Sequence, residues 1–409
     1  WICGDPGIQY DCTINKWHTC PNSGRINGSN PCSEYMFLDD SACNLARLNL
    51  LTFFKGSDSP AERHAAAVDF KVAVNVITAA MELIVDNASY PTPKIAKNSH
   101  EYRPLGLGYA NLGALLMVSG LAYDSAEGRN LAAAITALMC GEAYRTSSLI
   151  ASFKGPFKGF AANHESMLRV VERHLEAARA VPSGPENEDV LSIARDVWAV
   201  ARHMGEEYGY RNSQLTVLAP TGTIGFMMDC DTTGVEPDIA LVKYKKLVGG
   251  GYFKIVYQSV PAALEKLGYK AAERKVIEEW INQHDTIERA PGLKESHLPV
   301  FDCAFKAYSG TSTIEPMGLV RMMAAVQPFL SGAISKTVNM PHEATVEDIE
   351  RVYIDAWRMG LKAIAIYRDG CKRTQPLSTK LDDGNGSAKT AATAEVVRGR
   401  ERLSDERAA

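Results

Sequence analysis

The chain has 409 residues, 46% of them hydrophobic and 22% charged, with a net charge of −4. That is the make-up of a globular chain with one large domain or two or three average ones; its mild acidity offers no basic surface to nucleic acid, and no apolar run reaches the ~20 residues that cross a bilayer. Nine cysteines without a C-x₂-C pair give no zinc spacing, so no metal is expected, and without a signal-peptide pattern they read as cytosolic thiols, one or two of them chemically active.

Residues 1–30 are rich in Gly, Asn, Asp and Pro and read as loops, with a turn and a short extended piece over Gly4 to Asp11. Cys12 and Cys20 carry no recognisable spacing. Next comes Asn30-Pro31-Cys32-Ser33-Glu34, a thiol between a carboxamide and a carboxylate. Pro31 argues for a rigid loop. In an extended backbone, positions i and i+2 share a side, so Asn30, Cys32 and Glu34 are expected to converge on one substrate. Cys43 follows in Ser41-Ala42-Cys43-Asn44-Leu45. Taken alone, this pattern fits a buried structural cysteine better than a reactive one.

From Pro60 to Asp86 the spacing predicts a helix, with Ser59 and Glu62 as a capping box. Val68, Val72, Val76, Ala79 and Leu83 are its expected core stripe, and His64 is expected in solvent. Gly106-Leu107-Gly108 is too short for a dinucleotide fingerprint and reads as close packing where a helix begins. Residues 123–208 read as several helices broken at Gly155-Pro156 and at 182–185. Gln214 to Ala219 has strand character and runs into Pro220-Thr221-Gly222-Thr223-Ile224-Gly225. Free N–H groups and hydroxyls there suit a phosphate, and an ordinary tight turn suits the residues equally. The acids over Asp229 to Asp238 read as a polar loop. Strands are expected at 334–340 and 362–367, with a helix from Thr345 to Trp357 between them. The alternation implies an α/β fold with parallel strands. Beyond Leu377 the composition is that of a linker or tail.

The run Ser29-Asn30-Pro31-Cys32-Ser33-Glu34-Tyr35-Met36-Phe37-Leu38-Asp39-Asp40-Ser41-Ala42-Cys43-Asn44-Leu45 resembles the finger loop of adenosylcobalamin-dependent (class II) ribonucleotide reductases. Stretches at 4–11, 103–112, 220–225, 229–238 and 334–340 extend the likeness over roughly residues 1–380. The resemblance implies the C-terminal part of a ten-stranded α/β barrel around a central finger loop at 1–380, with a flexible tail at 381–409. It implies that Cys32 carries a thiyl radical, that Asn30 and Glu34 bind the ribose and handle protons, and that Pro31 and Ser33 line the substrate. Cys43 becomes half of a reducing pair, and Pro220, Thr221, Gly222, Thr223 and Ile224 hold the substrate phosphates. The implied cofactor is adenosylcobalamin, the substrate a ribonucleoside diphosphate, the reductant an external thiol protein such as thioredoxin, and the setting a cytoplasmic enzyme of DNA synthesis, a possible homodimer at full length.

Three features depart from that pattern. Arg47 is a bulky charge where a small residue is expected beside the redox cysteine. The partner of Cys43 and the effector region belong upstream of Trp1, and the C-terminal cysteine pair belongs beyond Cys371; the chain therefore reads as a fragment with Cys43 as a free thiol. No Asp-x-His-x-x-Gly is present, a motif that the resembled family does not use. A class I large-subunit fragment would be marked by a Tyr-Tyr pair near its C-terminus, which is absent. A non-catalytic nucleotide-binding fragment would use only the 220–225 turn.

Overall fold

The computed structural model describes residues 7–246, 252–307, 310–371 and 377–378. The chain opens with β1 (Gly7–Gln9) and α1 (Asp11–Lys16), and a long loop then leads to β2 (Asn44–Asn49). Helices α2 (Leu50–Phe54), α3 (Pro60–Asn87) and α4 (Pro93–Tyr102) carry it to β3 (Leu105–Ala110). β2 and β3 pair in parallel, Asn44 opposite Leu105 and Asn49 opposite Ala110. After α5 (Leu112–Val118), the long helices α6 (Ala126–Lys154), α7 (Phe160–Ala180) and α8 (Glu188–Tyr208) follow.

The next strand-like segment, 214–219, is joined to its neighbours by two parallel bridges, Leu107 to Thr216 and Leu218 to Ile334. Its carbonyls at Gln214 and Leu215 accept from the Leu105 and Leu107 amides (2.8 and 2.9 Å), and Leu218 N–H donates to Ala333 (3.0 Å). Backbone pairing thus runs β2, β3, 214–219, then 332–335. The last segment leads into β6 (Thr337–Met340), which lies parallel to β7 (Ala363–Arg368), with β1 antiparallel on the far edge of β7.

Between these come α9 (Gly222–Met227), β4 (Val242–Lys246), β5 (Tyr252–Val256), α10 (Val260–Lys266), α11 (Ala271–His284) and α12 (Pro316–Val326); α13 (Val346–Arg358) joins β6 to β7. β4 pairs antiparallel with β5 and with β8 (Leu377–Ser378). Leu264, Ile277, Ile281 and Phe301 help form a second, separate apolar cluster in this region. The α/β expectation holds, but the main layer is parallel apart from β1 at its edge, and this smaller group is antiparallel. The tail expected at 381–409 lies outside the described residues.

A buried charged knot sets the stagger of the main layer. Glu82 of α3 accepts from Arg103 Nε (2.5 Å), Arg211 Nε (2.7 Å) and Asn212 Nδ2 (2.6 Å). Those partners sit just ahead of β3 and of the 214–219 segment, so one carboxylate ties both strand entries to the covering helix. Removing one partner from such a knot costs about 3–5 kcal/mol.

The Ser59–Glu62 capping box is present, with Glu62 Oε2 accepting from Ser59 N–H at 2.8 Å. The predicted stripe of α3, however, faces outward: Val72, Val76 and Leu83 are 57%, 62% and 67% exposed. The buried stripe is Phe70, Val74, Thr78, Met81 and Val85. Both stripes have helical spacing, and Phe70 decides between them by packing its ring on Phe53 and Phe54 (centroids 5.4 and 5.6 Å apart). Gly106 and Gly108 lie inside β3 and not at a helix start. The loop reading of 1–30 also missed α1.

Lys362, immediately ahead of β7, is 1% exposed. Its ammonium donates to three consecutive carbonyls, Leu330 (3.2 Å), Ser331 (2.8 Å) and Gly332 (2.7 Å). Burial pulls its pKa from the usual lysine range down to about 7, and the three carbonyls oppose that pull by holding all three protons. Between pH 7 and the unfolded lysine value the unfolded chain binds more protons, so stability rises with pH across that window and is lost as pH falls through 7. Urea unfolding should show the wild-type chain gaining at least about 1 kcal/mol between pH 7 and 9.5, and Lys362→Met lacking that gain while losing about 1–3 kcal/mol at pH 7 from the stranded carbonyls.

Candidate functional site

The Asn30–Glu34 loop is a turn, not extended chain. Ser33 N–H donates to the Asn30 carbonyl at 3.0 Å, Pro31 takes the second position that its fixed φ favours, and Ser33 has φ 63°. Asn30 Oδ1 accepts from Tyr35 N–H (3.0 Å), closing the turn from inside. The extended geometry behind the expected i, i+2 alternation is therefore replaced by a turn. Pro31 and Cys32 are exposed at the tip, Ser33 and Asn30 are half-buried, and Glu34 is 3% exposed.

The turn is clamped on both sides. Gln9 of β1 donates to the hydroxyls of Ser29 (2.5 Å) and Ser33 (3.1 Å). Opposite, the Glu34 carbonyl accepts from Ala333 N–H at 2.7 Å. The Glu34 carboxylate Oε2 is buried without a hydrogen-bond partner, a costly arrangement for an ionisable oxygen. Burial and then the Glu34 charge push the Cys32 thiol up, which places Cys32 and Glu34 within each other's field.

Cys43 stands just ahead of β2, half-buried and a free thiol. Its room comes from Gly106: a Cβ there would lie 3.1 Å from Cys43 Sγ and would overlap the Leu45 side chain. At Gly108 a Cβ would collide with the Val217 carbonyl oxygen and lie 3.4 Å from Arg47 Cδ and Cζ. At Gly332 it would meet the Glu34 carbonyl at 2.7 Å. Arg47 fills the space over Gly108 and donates through Nη1 to the carbonyls of Ala46 (2.6 Å) and Gly106 (2.8 Å). Burial, then Glu34, pushes Cys43 up to about 12 while Arg47 opposes the rise. Burial lowers Arg47 to about 10 against the pull of Cys43 and Glu34. Glu34, Cys43 and Arg47 therefore share one partly desolvated chamber.

The Pro220–Ile224 stretch is split by the structure. Pro220, Gly222, Thr223 and Ile224 are exposed, whereas Thr221 is buried. Thr221 Oγ1 accepts from Gly234 N–H at 2.8 Å, so its hydroxyl braces the 229–238 loop. Gly222 opens α9 with no atom within 4 Å of where a Cβ would stand. Asn49 at the end of β2 donates to the Met228 carbonyl (3.3 Å) and accepts from Asn111 Nδ2 (2.9 Å). These bonds gather the ends of β2, β3 and α9 at the C-terminal edge of the parallel strands, where α/β sheets take their ligands. Among the described residues no trio of His, Cys, Asp or Glu is placed to hold a metal ion. His18 is buried and bonded to the Gly24 carbonyl (2.8 Å), and Cys20 lies in the core.

A family profile described as "Ribonucleotide reductase, barrel domain" matches residues 1–367. The chain belongs to that ribonucleotide reductase family. It is 54% identical over 415 residues to the vitamin B12-dependent ribonucleotide reductase of Rhodopirellula baltica, a match covering 100% of this chain and 39% of that protein. It is 52% identical over 394 residues to the enzyme of that name from Streptomyces coelicolor (96% and 40% covered). To the vitamin B12-dependent ribonucleoside-diphosphate reductase of Mycobacterium tuberculosis it is 29% identical over 376 residues (92% and 46%). The chain thus spans less than half the length of these relatives. In fold it is similar to the class Id ribonucleotide reductase alpha subunit of Actinobacillus ureae, with a TM-score of 0.62 and 18% identity over 90% of this chain and 58% of that one.

The reductase barrel depends on Gly332 and Lys362, which the motifs do not single out, and on Gly106 and Gly108, whose close packing lies inside a strand and not at a helix start. The period-two glycines in a buried run were the available signal, since glycine inside a strand marks a close approach. Gly108→Ala is expected to destabilise by about 1–3 kcal/mol, because the colliding atom is backbone. Gly106→Ala should cost less, since the Leu45 side chain is 53% exposed and free to move. Melting temperatures of the two variants check the order.

Proposed function

We propose that this chain carries the radical and reducing side of a ribonucleotide reductase active site, converting ribonucleoside diphosphates to 2′-deoxyribonucleotides for DNA synthesis in the cytoplasm. The observation that carries the reading is the buried Glu34 carboxylate, with an unpartnered oxygen, beside an exposed Cys32 on a turn clamped from both sides. The relatives named for vitamin B12 support adenosylcobalamin as cofactor, and the exposed Cys32 thiol is accessible to it. When bound, that cofactor supplies the radical that removes the hydrogen atom from the Cys32 thiol.

The protein's own residues do the rest. The Cys32 sulfur radical takes hydrogen from C3′ of the ribose. Glu34 accepts the 3′-hydroxyl proton, its free oxygen being already desolvated. Asn30 has its oxygen occupied by Tyr35, so it presents N–H to the sugar. The oxygen then leaves C2′, and Cys43 with a second thiol supplies the two electrons as a disulfide forms. An external thioredoxin-like protein restores the dithiol. Thr223 and the N–H groups that open α9 hold the phosphates, with Pro220 and Ile224 lining them, while Thr221 braces the loop. Pro31 and Ser33 shape the turn that the sugar meets.

Cys32→Ala in the full-length protein should leave less than about a tenth of the deoxynucleotide yield. Cys43→Ser should keep hydrogen exchange through Cys32, read as tritium exchange with the cofactor, and lose product. Product formation by Cys43→Ser at the wild-type rate would make Cys43 a packing residue only. Gly222→Val meets no atom of the fold, so a rise in KM of about fivefold or more reports blocked approach of the phosphates to the backbone. An unchanged KM removes this turn from the site.

A further inference from the structure

Arg47 has no part in the chemistry set out above, yet it is built into the same chamber. Positions 43, 45 and 47 share one face of β2. Four residues of extended chain span about 13 Å, but the Arg47 side chain turns back along the strand and donates to the Gly106 carbonyl at 2.8 Å. Gly106 is also the residue whose missing Cβ makes room for Cys43 Sγ. Cys43 Sγ and the Arg47 guanidinium therefore both border Gly106, the thiol on its Cα side and the guanidinium at its carbonyl. Arg47 bonds two carbonyls and keeps a buried Nε without a partner, so its charge is held in place without being spent on a hydrogen-bonded carboxylate.

We propose that Arg47 is a positioning residue for the reducing thiol: its guanidinium is the counter-charge that stabilises the Cys43 sulfur as that thiol gives up its proton. The inference rests on the reading of Cys43 as reductant. In that step the S–H bond breaks and the electron pair stays on sulfur. The proton goes to the oxygen leaving C2′, which departs as water, while Glu34 takes the 3′-hydroxyl proton. The groups facing Cys43 are Glu34 and Tyr35 from the loop, Arg47 from its own strand and the Gly106 backbone from β3. Glu34 raises the proton affinity of the thiol and Arg47 lowers it. A cation beside a proton donor in a desolvated chamber makes release of that proton less costly.

Alkylation of Cys43 by iodoacetamide at pH 9, followed by peptide mass spectrometry with the exposed Cys12 as internal reference, tests the proposal without cofactor or turnover. In the full-length protein, Arg47→Met should slow Cys43 alkylation by about fivefold or more relative to Cys12. Arg47→Gln, which can still donate to the Gly106 carbonyl, should slow it equally, and Arg47→Lys should stay within about twofold of wild type. Glu34→Gln should act in the opposite sense and speed it. Wild-type rates in folded Arg47→Met or Arg47→Gln would overturn the proposal, and Arg47→Gln decides alone if the Met variant does not fold. Such a result would leave the reading of Cys43 as reductant standing, because that reading fails only if Cys43→Ser still makes product.

Discussion

The hydrogen bond from the Ala333 amide to the Glu34 carbonyl, 2.7 Å long, joins the functional loop to the parallel layer, and most of the architecture serves to hold its two ends. On the donor side, residues 332–335 pair with 214–219 through Thr216 and Leu218. Their entry turn is fixed by the Lys362 ammonium across three successive carbonyls. On the acceptor side, the turn at Asn30–Ser33 is closed by Tyr35 and clamped by Gln9. One bond between neutral backbone groups contributes only ~1 kcal/mol net. Its importance is geometric, since it fixes where the Asn30–Glu34 turn stands against the parallel layer.

The chamber beneath the loop depends on absent side chains. Gly106, Gly108 and Gly332 each face a backbone or side-chain atom at a distance no Cβ could tolerate. That closeness lets a thiol, a carboxylate and a guanidinium crowd one face of a sheet whose opposite face is packed with Leu105, Leu107 and Tyr109. The cost is visible in the unpartnered atoms of Glu34 and Arg47. A fold selected for stability alone would pair or remove such groups, since each stranded polar group costs about 1–3 kcal/mol. Their persistence in a knot-braced layer fits a site that spends stability on preorganised charge.

The family was legible in the chain through the resemblance carried by residues 29–45. By residue type alone the cysteines fit a structural role better, and the run at 220–225 fits an ordinary turn as well as a phosphate loop. The capping box at Ser59, the helix start at Thr345 and the breaks near 155 and 182–185 were plain, being local hydrogen-bonding and backbone effects that need no tertiary partner. Periodicity failed on α3, where two stripes satisfy the same spacing and only the rings of Phe53 and Phe54 select one. It failed again at the loop, where extended geometry was assumed although Asn followed by Pro favours the turn observed.

The sequence by itself therefore determined the set of reactive groups, the α/β class and the local helix signals, because each rests on residue identity within a few positions. Tertiary structure alone decided which of those groups share a field. Glu34, 3% exposed, is held through its carbonyl by Ala333, a residue some three hundred positions away along the chain. Arg47, whose charge looked out of place beside Cys43, is folded back onto Gly106 by the register of β2 on β3. Thr221 and Thr223, two residues apart in one motif, are sent to the interior and to the surface by the start of α9. Desolvation and charge act through space, and distance along the chain does not reveal them.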